Sequence, residues 1–189
     1  MKTKTILLVI ISFLLGINLV NGQGFKTPSE GKAVIYFVRV SGFGFAVSFE
    51  FFHNDKYIGV FKGKNYMRYE LDPGEQLLWA SSENKEFITS ELQAGGSYIV
   101  MVDVIMGGMK AHVGLTPVSV KDQKLFERAK ELIMKEAPVV TPEETIIKMN
   151  NKLAEFIPKQ LNRYQEDWKS TKNFKHISPD MAIPAESMK

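Results

Sequence analysis

The 189-residue chain contains no cysteine and only three histidines. The first absence excludes a disulfide framework, a thiolate metal site, a cysteine nucleophile and an acylated cysteine anchor. The second leaves few imidazole ligands. His53, His112 and His176 stand far apart, and neither His-x-x-x-His, His-Glu-x-x-His nor a clustered carboxylate spacing is present. A Gly-x-Ser-x-Gly elbow is absent too, so no serine nucleophile is visible. Gly42-Phe43-Gly44 lacks the following helix and the Gly-Lys-Ser/Thr element that a phosphate loop needs. No catalytic, cofactor-binding or metal-ligating residue is therefore assigned, no cofactor is expected, and the binding residues are left open.

Charge of one sign is also scarce: 24 Lys and Arg stand against 21 Asp and Glu. Residues 1–22 read as a signal peptide, with Lys2 and Lys4 as a basic start, an apolar run from Ile6 to Val20, and Val20-Asn21-Gly22 as its end. Cleavage is expected before Gln23. The rival reading is a retained membrane helix, but a run that contains Gly16 and Asn18 falls short of the ~20 residues a span needs. Removing the segment takes away two lysines and leaves 22 basic against 21 acidic side chains. That even mixture gives no electrostatic case for nucleic acid. The mature chain is expected in the periplasm, the cell envelope or outside the cell, with no integral membrane span after cleavage. A chain this long buries roughly two thirds of its surface and needs no covalent staples.

What the sequence does contain changes character near Pro117. Residues 23–118 carry 19 charges, whereas the shorter stretch 119–189 carries 24. From Ala33 to Leu115, runs of β-branched and aromatic residues alternate with Gly, Pro, Asn and Asp, the pattern of strands joined by turns. In Phe45–Phe52 the residues Phe45, Val47, Phe49 and Phe51 share a face, predicting a half-buried strand. His53-Asn54-Asp55 and Asp72-Pro73-Gly74 predict turns. Ser97–Met106 is apolar on both faces except at Asp103, which predicts a central strand, and Gly107-Gly108 predicts a tight hairpin after it. About eight strands follow, spaced as in an antiparallel β-sandwich or partly closed barrel.

After Pro117 the period is helical. Ser119-Val-Lys-Asp122 has capping-box form ahead of a stripe of Leu125, Ala129, Leu132 and Ile133. Thr141-Pro142-Glu143-Glu144 predicts a second helix start, and Ile146, Met149, Leu153 and Phe156 then share one face. Pro158 is expected to break or kink the helix, with Leu161, Tyr164 and Trp168 continuing the stripe. The chain thus divides into a signal peptide (1–22), a β-sandwich domain (23–118), a helical extension (119–171) and a flexible tail (172–189).

Several residues have both a functional and a structural reading. His53 beside Asp55 is a local pair or a polar hairpin tip. Asp72 and Glu75 flank a turn and are expected to face solvent. Arg39, inside the first strand, is an anion contact or an outward side chain. Phe43, Phe45, Phe51, Phe52, Tyr57, Phe61, Tyr66 and Tyr69 crowd one third of the chain, either as core or as a surface that stacks on sugars or grips a peptide. The stripe from Ile146 to Trp168 packs on the parent domain or docks a partner.

The phrases Ala33-Val-Ile-Tyr-Phe-Val-Arg39, Gly42-Phe43, Asn54-Asp-Lys-Tyr-Ile-Gly59, Tyr66, Asp72-Pro-Gly74 and Ala94-Gly-Gly-Ser-Tyr-Ile-Val100 occur in that order. Together they resemble a family of bacterial exported proteins classed as a domain of unknown function, over roughly residues 28–118. The resemblance implies a small β-sandwich and an envelope location, and carries no activity. Lipid-anchored relatives would have a cysteine where this chain has Asn21-Gly22-Gln23, so anchoring through cysteine is not expected. The leading reading is an exported, non-enzymatic module that binds a protein or a glycan. The alternatives are an envelope hydrolase with an acid and a base from separate strands, and a structural assembly subunit.

Overall fold

The computed structural model describes residues 23–107 and 110–189. The expected signal segment and Gly108 of the expected turn lie outside the described residues. The described chain is mainly β, with two sheets and helices after the eighth strand. The strands are β1 (Ala33–Arg39), β2 (Ser48–His53), β3 (Lys56–Lys62), β4 (Asn65–Leu71), β5 (Gly74–Ser81), β6 (Lys85–Leu92), β7 (Ser97–Gly107) and β8 (Lys110–Val118). Then come α1 (Gln123–Lys135), α2 (Glu143–Lys152), α3 (Phe156–Arg163), a π-helical turn (Tyr164–Trp168), α4 (Lys169–Thr171) and a short strand β9 (Lys175–Ile177).

One sheet has the order β4-β1-β7-β8 and the other β3-β2-β5-β6-β9. The strand series predicts an antiparallel sandwich, but the pairing is not antiparallel throughout. β1 runs parallel to β7, with Val34 opposite Ser97, and β6 runs parallel to β9. A period of two fixes which face a residue occupies and says nothing about its partner strand, so parallel neighbours leave no trace in the alternation. The central position expected for β7 is found between β1 and β8.

All seven residues of β1 are buried because both faces of its sheet are covered. Ala33, Ile35 and Phe37 join a core cluster to which all nine described strands contribute, including Phe49, Phe51, Leu78, Val100, Leu115 and Ile177. Val34, Tyr36 and Val38 point the other way, onto α1. There Phe126, Ala129, Leu132 and Ile133 are buried. The expected stripe is one position out of phase at its start: Leu125 is only partly buried, and Phe126 takes its place. Burial pushes the Tyr66 hydroxyl beneath this helix up to about 12.

The outer face of the second sheet holds Phe52, Tyr57, Trp79 and Phe87, covered by Ile157 and Tyr164 with Ile146, Met149, Leu153, Phe156 and Trp168 at the margin. The stripe from Ile146 to Trp168 therefore packs on its own domain. The helix break falls at residues 153–155, so Pro158 lies in the first turn of α3, where its missing N–H is not needed.

Thr141 does not cap α2; its Oγ1 accepts the Val60 N–H at 3.1 Å. Asn150 of α2 accepts the Tyr57 N–H at 2.9 Å and donates to the Tyr57 carbonyl at 3.1 Å. β3 is an edge strand, and these two side chains occupy groups that another strand would otherwise pair with. Gly59→Ala is expected to disturb this edge. A Cβ there would stand 2.7 Å from Met67 Sδ and 2.8 Å from Thr141 Oγ1. The expected cost is about 1–3 kcal/mol, read from the urea midpoint. A midpoint equal to that of the parent protein would mean that the lead-in to α2 yields freely.

The segment 172–189 departs from the expected flexible tail. β9 pairs with β6, Ile177 enters the shared core, and the Ile183 N–H donates to the Ser97 carbonyl at 2.8 Å with Ile183 buried against α1. Each short element anchors a single apolar side chain, too few to make a period.

Candidate functional site

The register of the strands brings four connections to one end of the sheets. Arg39 lies opposite Asn65, Ser48 opposite Lys62, Ser81 opposite Lys85, and Gly107 opposite Lys110. Contacts tie these connections together. The Ser82 hydroxyl donates to the Ala111 carbonyl at 3.1 Å, and Lys110 pairs with Glu83 at 3.2 Å.

Arg39 organises the connection from β1 to β2. It is fully buried, neither an outward side chain nor an exposed anion contact. Its Nη1 donates to the Val47 carbonyl at 2.9 Å, and its Nη2 to the carbonyls of Phe43 at 2.8 Å and Gly44 at 2.7 Å. The guanidinium lies 5.1 Å from the centre of the Phe49 ring. Burial draws its pKa down, and Asp103 opposes the shift. The fork suits this task because its donors are held in one plane. Gly44 has φ of 65° and lies against Val104, where a Cβ would approach both methyls at 3.4 Å. These constraints keep residues 43–46 in turns, so β2 begins at Ser48 and the strand expected from Phe45 is shorter.

The clasp has a surface consequence. Phe43 and Phe45 are 61% and 75% exposed, and Ile105 and Met106 at the end of β7 are 53% and 55% exposed. Gly44 touching Val104 puts the two pairs on neighbouring connections. Exposed Lys62, Lys64 and Lys110 lie on the adjoining turns. Four large apolar side chains are thus exposed at one end, two of them on the connection that Arg39 holds.

The other aromatic residues singled out in the sequence divide between core and cover. Phe51 and Phe61 stack at 4.9 Å between the sheets, Phe52 and Tyr57 lie under the helices, Tyr66 lies under α1, and Tyr69 is half-buried. Of the eight, Phe43 and Phe45 are the exposed ones. Ile105 and Met106 escape a reading based on aromatics alone; their position beside Gly107 at a hairpin end is the sequence signal for them.

His53 bonds Tyr69 Oη at 3.0 Å through Nδ1 and Gln76 Oε1 at 2.7 Å through Nε2, leaving Asp55 aside. His53 and Tyr69 border a recess of about 270 Å³ with Lys32, Asp55 and Asp72. Lys32 bonds the Asp72 carboxylate at 2.7 Å and holds its pKa below the usual range. Asp72 thus pairs with Lys32, and Glu75 is exposed on β5. His112 lies on β8 opposite Ile105, and His176 bonds Thr89 Oγ1 at 2.9 Å from β9. Among the described residues no three His, Asp or Glu side chains group as metal ligands. The described helices include none long and apolar enough to cross a membrane.

Comparison with protein families finds no family model that matches the chain. Comparison with curated proteins finds no match either.

Proposed function

We propose that the protein is an exported, non-enzymatic β-sandwich of the cell envelope that works by contact, presenting Phe43, Phe45, Ile105 and Met106 to a protein partner. The observation that carries this reading is the Arg39 clasp, which keeps two phenyl rings in solvent at the cost of a buried charge. The sandwich reading rests on the core cluster shared by strands of both sheets. A protein suits these four side chains better than a glycan, because they offer no hydrogen-bonding groups for hydroxyls.

The hydrolase alternative needs two ionisable groups facing each other across a pocket. His53 and Asp72 border one recess but are engaged by Tyr69, Gln76 and Lys32. Assembly through the β3 edge is opposed by Thr141 and Asn150. A second reading, contact with an anionic lipid surface, draws on exposed Lys62, Lys64 and Lys110 around the same end.

The paired substitution Phe43→Ser with Phe45→Ser tests the proposal. Both rings are exposed, so the unfolding midpoint should stay within ~0.5 kcal/mol of the parent. Capture of a defined envelope protein by the immobilised parent, lost in the variant, is the expected result. Sedimentation with anionic vesicles that depends on the same rings would transfer the reading to lipid. Undiminished capture by the variant would remove this surface from the function.

A further inference from the structure

A second recess adjoins the β5–β6 connection on the helix-covered face of the second sheet, and shares no residue with the four exposed apolar side chains. It encloses about 380 Å³ between the start of β6 and the helical segment that follows Phe156. Phe156, Gln160 and Arg163 recur at spacings that place them along one face of α3. The π-helical turn, in which the Lys169 N–H reaches the Tyr164 carbonyl, then carries Trp168 to the rim. Such turns are frequent at functional sites.

Three cations converge on the recess from different elements: Lys85, Arg163 and Lys172. None of them is in an ion pair among the described residues. The Lys85 ammonium donates to the Ser82 carbonyl at 3.0 Å and lies 5.6 Å from the centre of the Phe156 ring. Arg163 and Lys172 lie 5.0 and 4.3 Å from the centre of the Trp168 ring. Burial draws the Lys85 pKa down against the pull of Glu83 and Glu50, and Arg163 adds to the lowering, so the two cations stand close enough to repel.

Two carboxylates, Glu83 and Glu86, also line the recess, so the three cations outnumber the acids by one. Glu83 reaches out to Lys110, and burial pushes the Glu86 carboxyl up against the attraction of Lys175 and Lys172. Gln160 adds a second, independent feature. It is 6% exposed and borders the recess. A side-chain amide in the lining offers both a donor and an acceptor to a ligand hydroxyl or oxyanion.

We propose that this recess binds a small oxyanion on a sugar-sized body, a carboxylated or phosphorylated monosaccharide. The cations meet the anion, Gln160 meets a hydroxyl, and the Phe156 and Trp168 rings supply an apolar wall. The volume lies within the range of small-molecule sites. This inference is independent of the contact surface, since the two share no residue.

Titration of the full chain with glucuronate, glucose 6-phosphate, glucose and inorganic phosphate, followed by Trp168 fluorescence and amide NMR shifts, tests it. Saturable shifts at Arg163, Trp168 and Lys172 with at least one acidic sugar are expected, with glucose and inorganic phosphate at least ~10-fold weaker. Arg163→Gln with Lys172→Gln, both exposed, should weaken that binding at least ~10-fold with an unchanged melting curve, and Arg163→Lys should restore most of it. Phe43→Ser with Phe45→Ser should leave it untouched. No saturation up to ~10 mM, equal binding of inorganic phosphate, or binding indifferent to the double substitution would overturn the proposal.

Discussion

Trp79→Ala is expected to lower the unfolding free energy by about 3–5 kcal/mol. Trp79 is fully buried in β5 at the centre of an aromatic stack. The Phe52 ring lies 3.7 Å away at 9°, the Phe87 ring 5.3 Å away at 17°, and Phe156 of α3 closes the stack from above at 6.2 Å. Its Nε1 donates to the Asn54 carbonyl at 3.0 Å, so alanine would also leave a turn carbonyl without its partner. A domain of this size has about 5–15 kcal/mol in total, so the loss is a large share of it.

The damage should concentrate on the helices. α2 has no buried residue of its own and α3 buries only Ile157 and Gln160, so both depend on the sheet beneath them. Trp79→Ala should therefore lower the urea midpoint and also open residues 137–145 to limited proteolysis before the strands unfold. Trp79→Phe keeps the stacking without the hydrogen bond, and should lose about half as much. A variant that keeps the parent midpoint and the parent cleavage pattern would show that the helices hold without this stack.

Much of the strand series was legible in the sequence because period-two alternation and turn residues are local properties. Asn54-Asp55 makes the turn between β2 and β3, with Asn54 at φ of 49°, and Gly74 follows Pro73 at φ of 92°. Cover on both sheets is harder to read. β1 is buried at every position, so no polar face reports that α1 lies behind Val34, Tyr36 and Val38. Strand partnership is not local at all, which is why the parallel β1–β7 pair was hidden.

The candidate surface was legible only in part. Phe43 and Phe45 stood out as aromatic residues, but so did six others that the fold buries or half-buries, and composition does not separate them. The separation comes from Arg39, whose burial is made tolerable by backbone carbonyls that no side-chain pattern encodes. The recess beside α3 was hidden for the opposite reason. Arg163 and Lys172 look like ordinary charges on a solvated face until the helical segment folds over Lys85.

Arg39→Met should separate two effects of the buried guanidinium, on the stability of the fold and on the conformation of the connection that carries Phe43 and Phe45. Two effects oppose each other in the fold. The substitution removes three charge-assisted hydrogen bonds, each worth about 1.5–3 kcal/mol, but it also removes a buried cation whose desolvation costs several kcal/mol. The freed carbonyls of Phe43, Gly44 and Val47 sit in a surface connection and can turn to water, so the net loss should be modest, about 1–3 kcal/mol. The connection itself is otherwise held by the Phe43 N–H donating to Ser41 Oγ at 3.1 Å and the Val47 N–H donating to the Gly44 carbonyl at 2.9 Å. Hydrogen exchange at that amide should accelerate at least ~100-fold, while amides in β1 and β7 accelerate only as far as global stability falls. If the proposed protein contact is right, capture should then fail as expected for Phe43→Ser with Phe45→Ser, although both rings are still present. Arg39→Lys should fall between, because one ammonium cannot span three carbonyls as a planar fork does. If the Val47 amide stays protected and capture persists in Arg39→Met, the buried charge is not what shapes this surface, and the rings hold their place through Gly44 and Val104 alone.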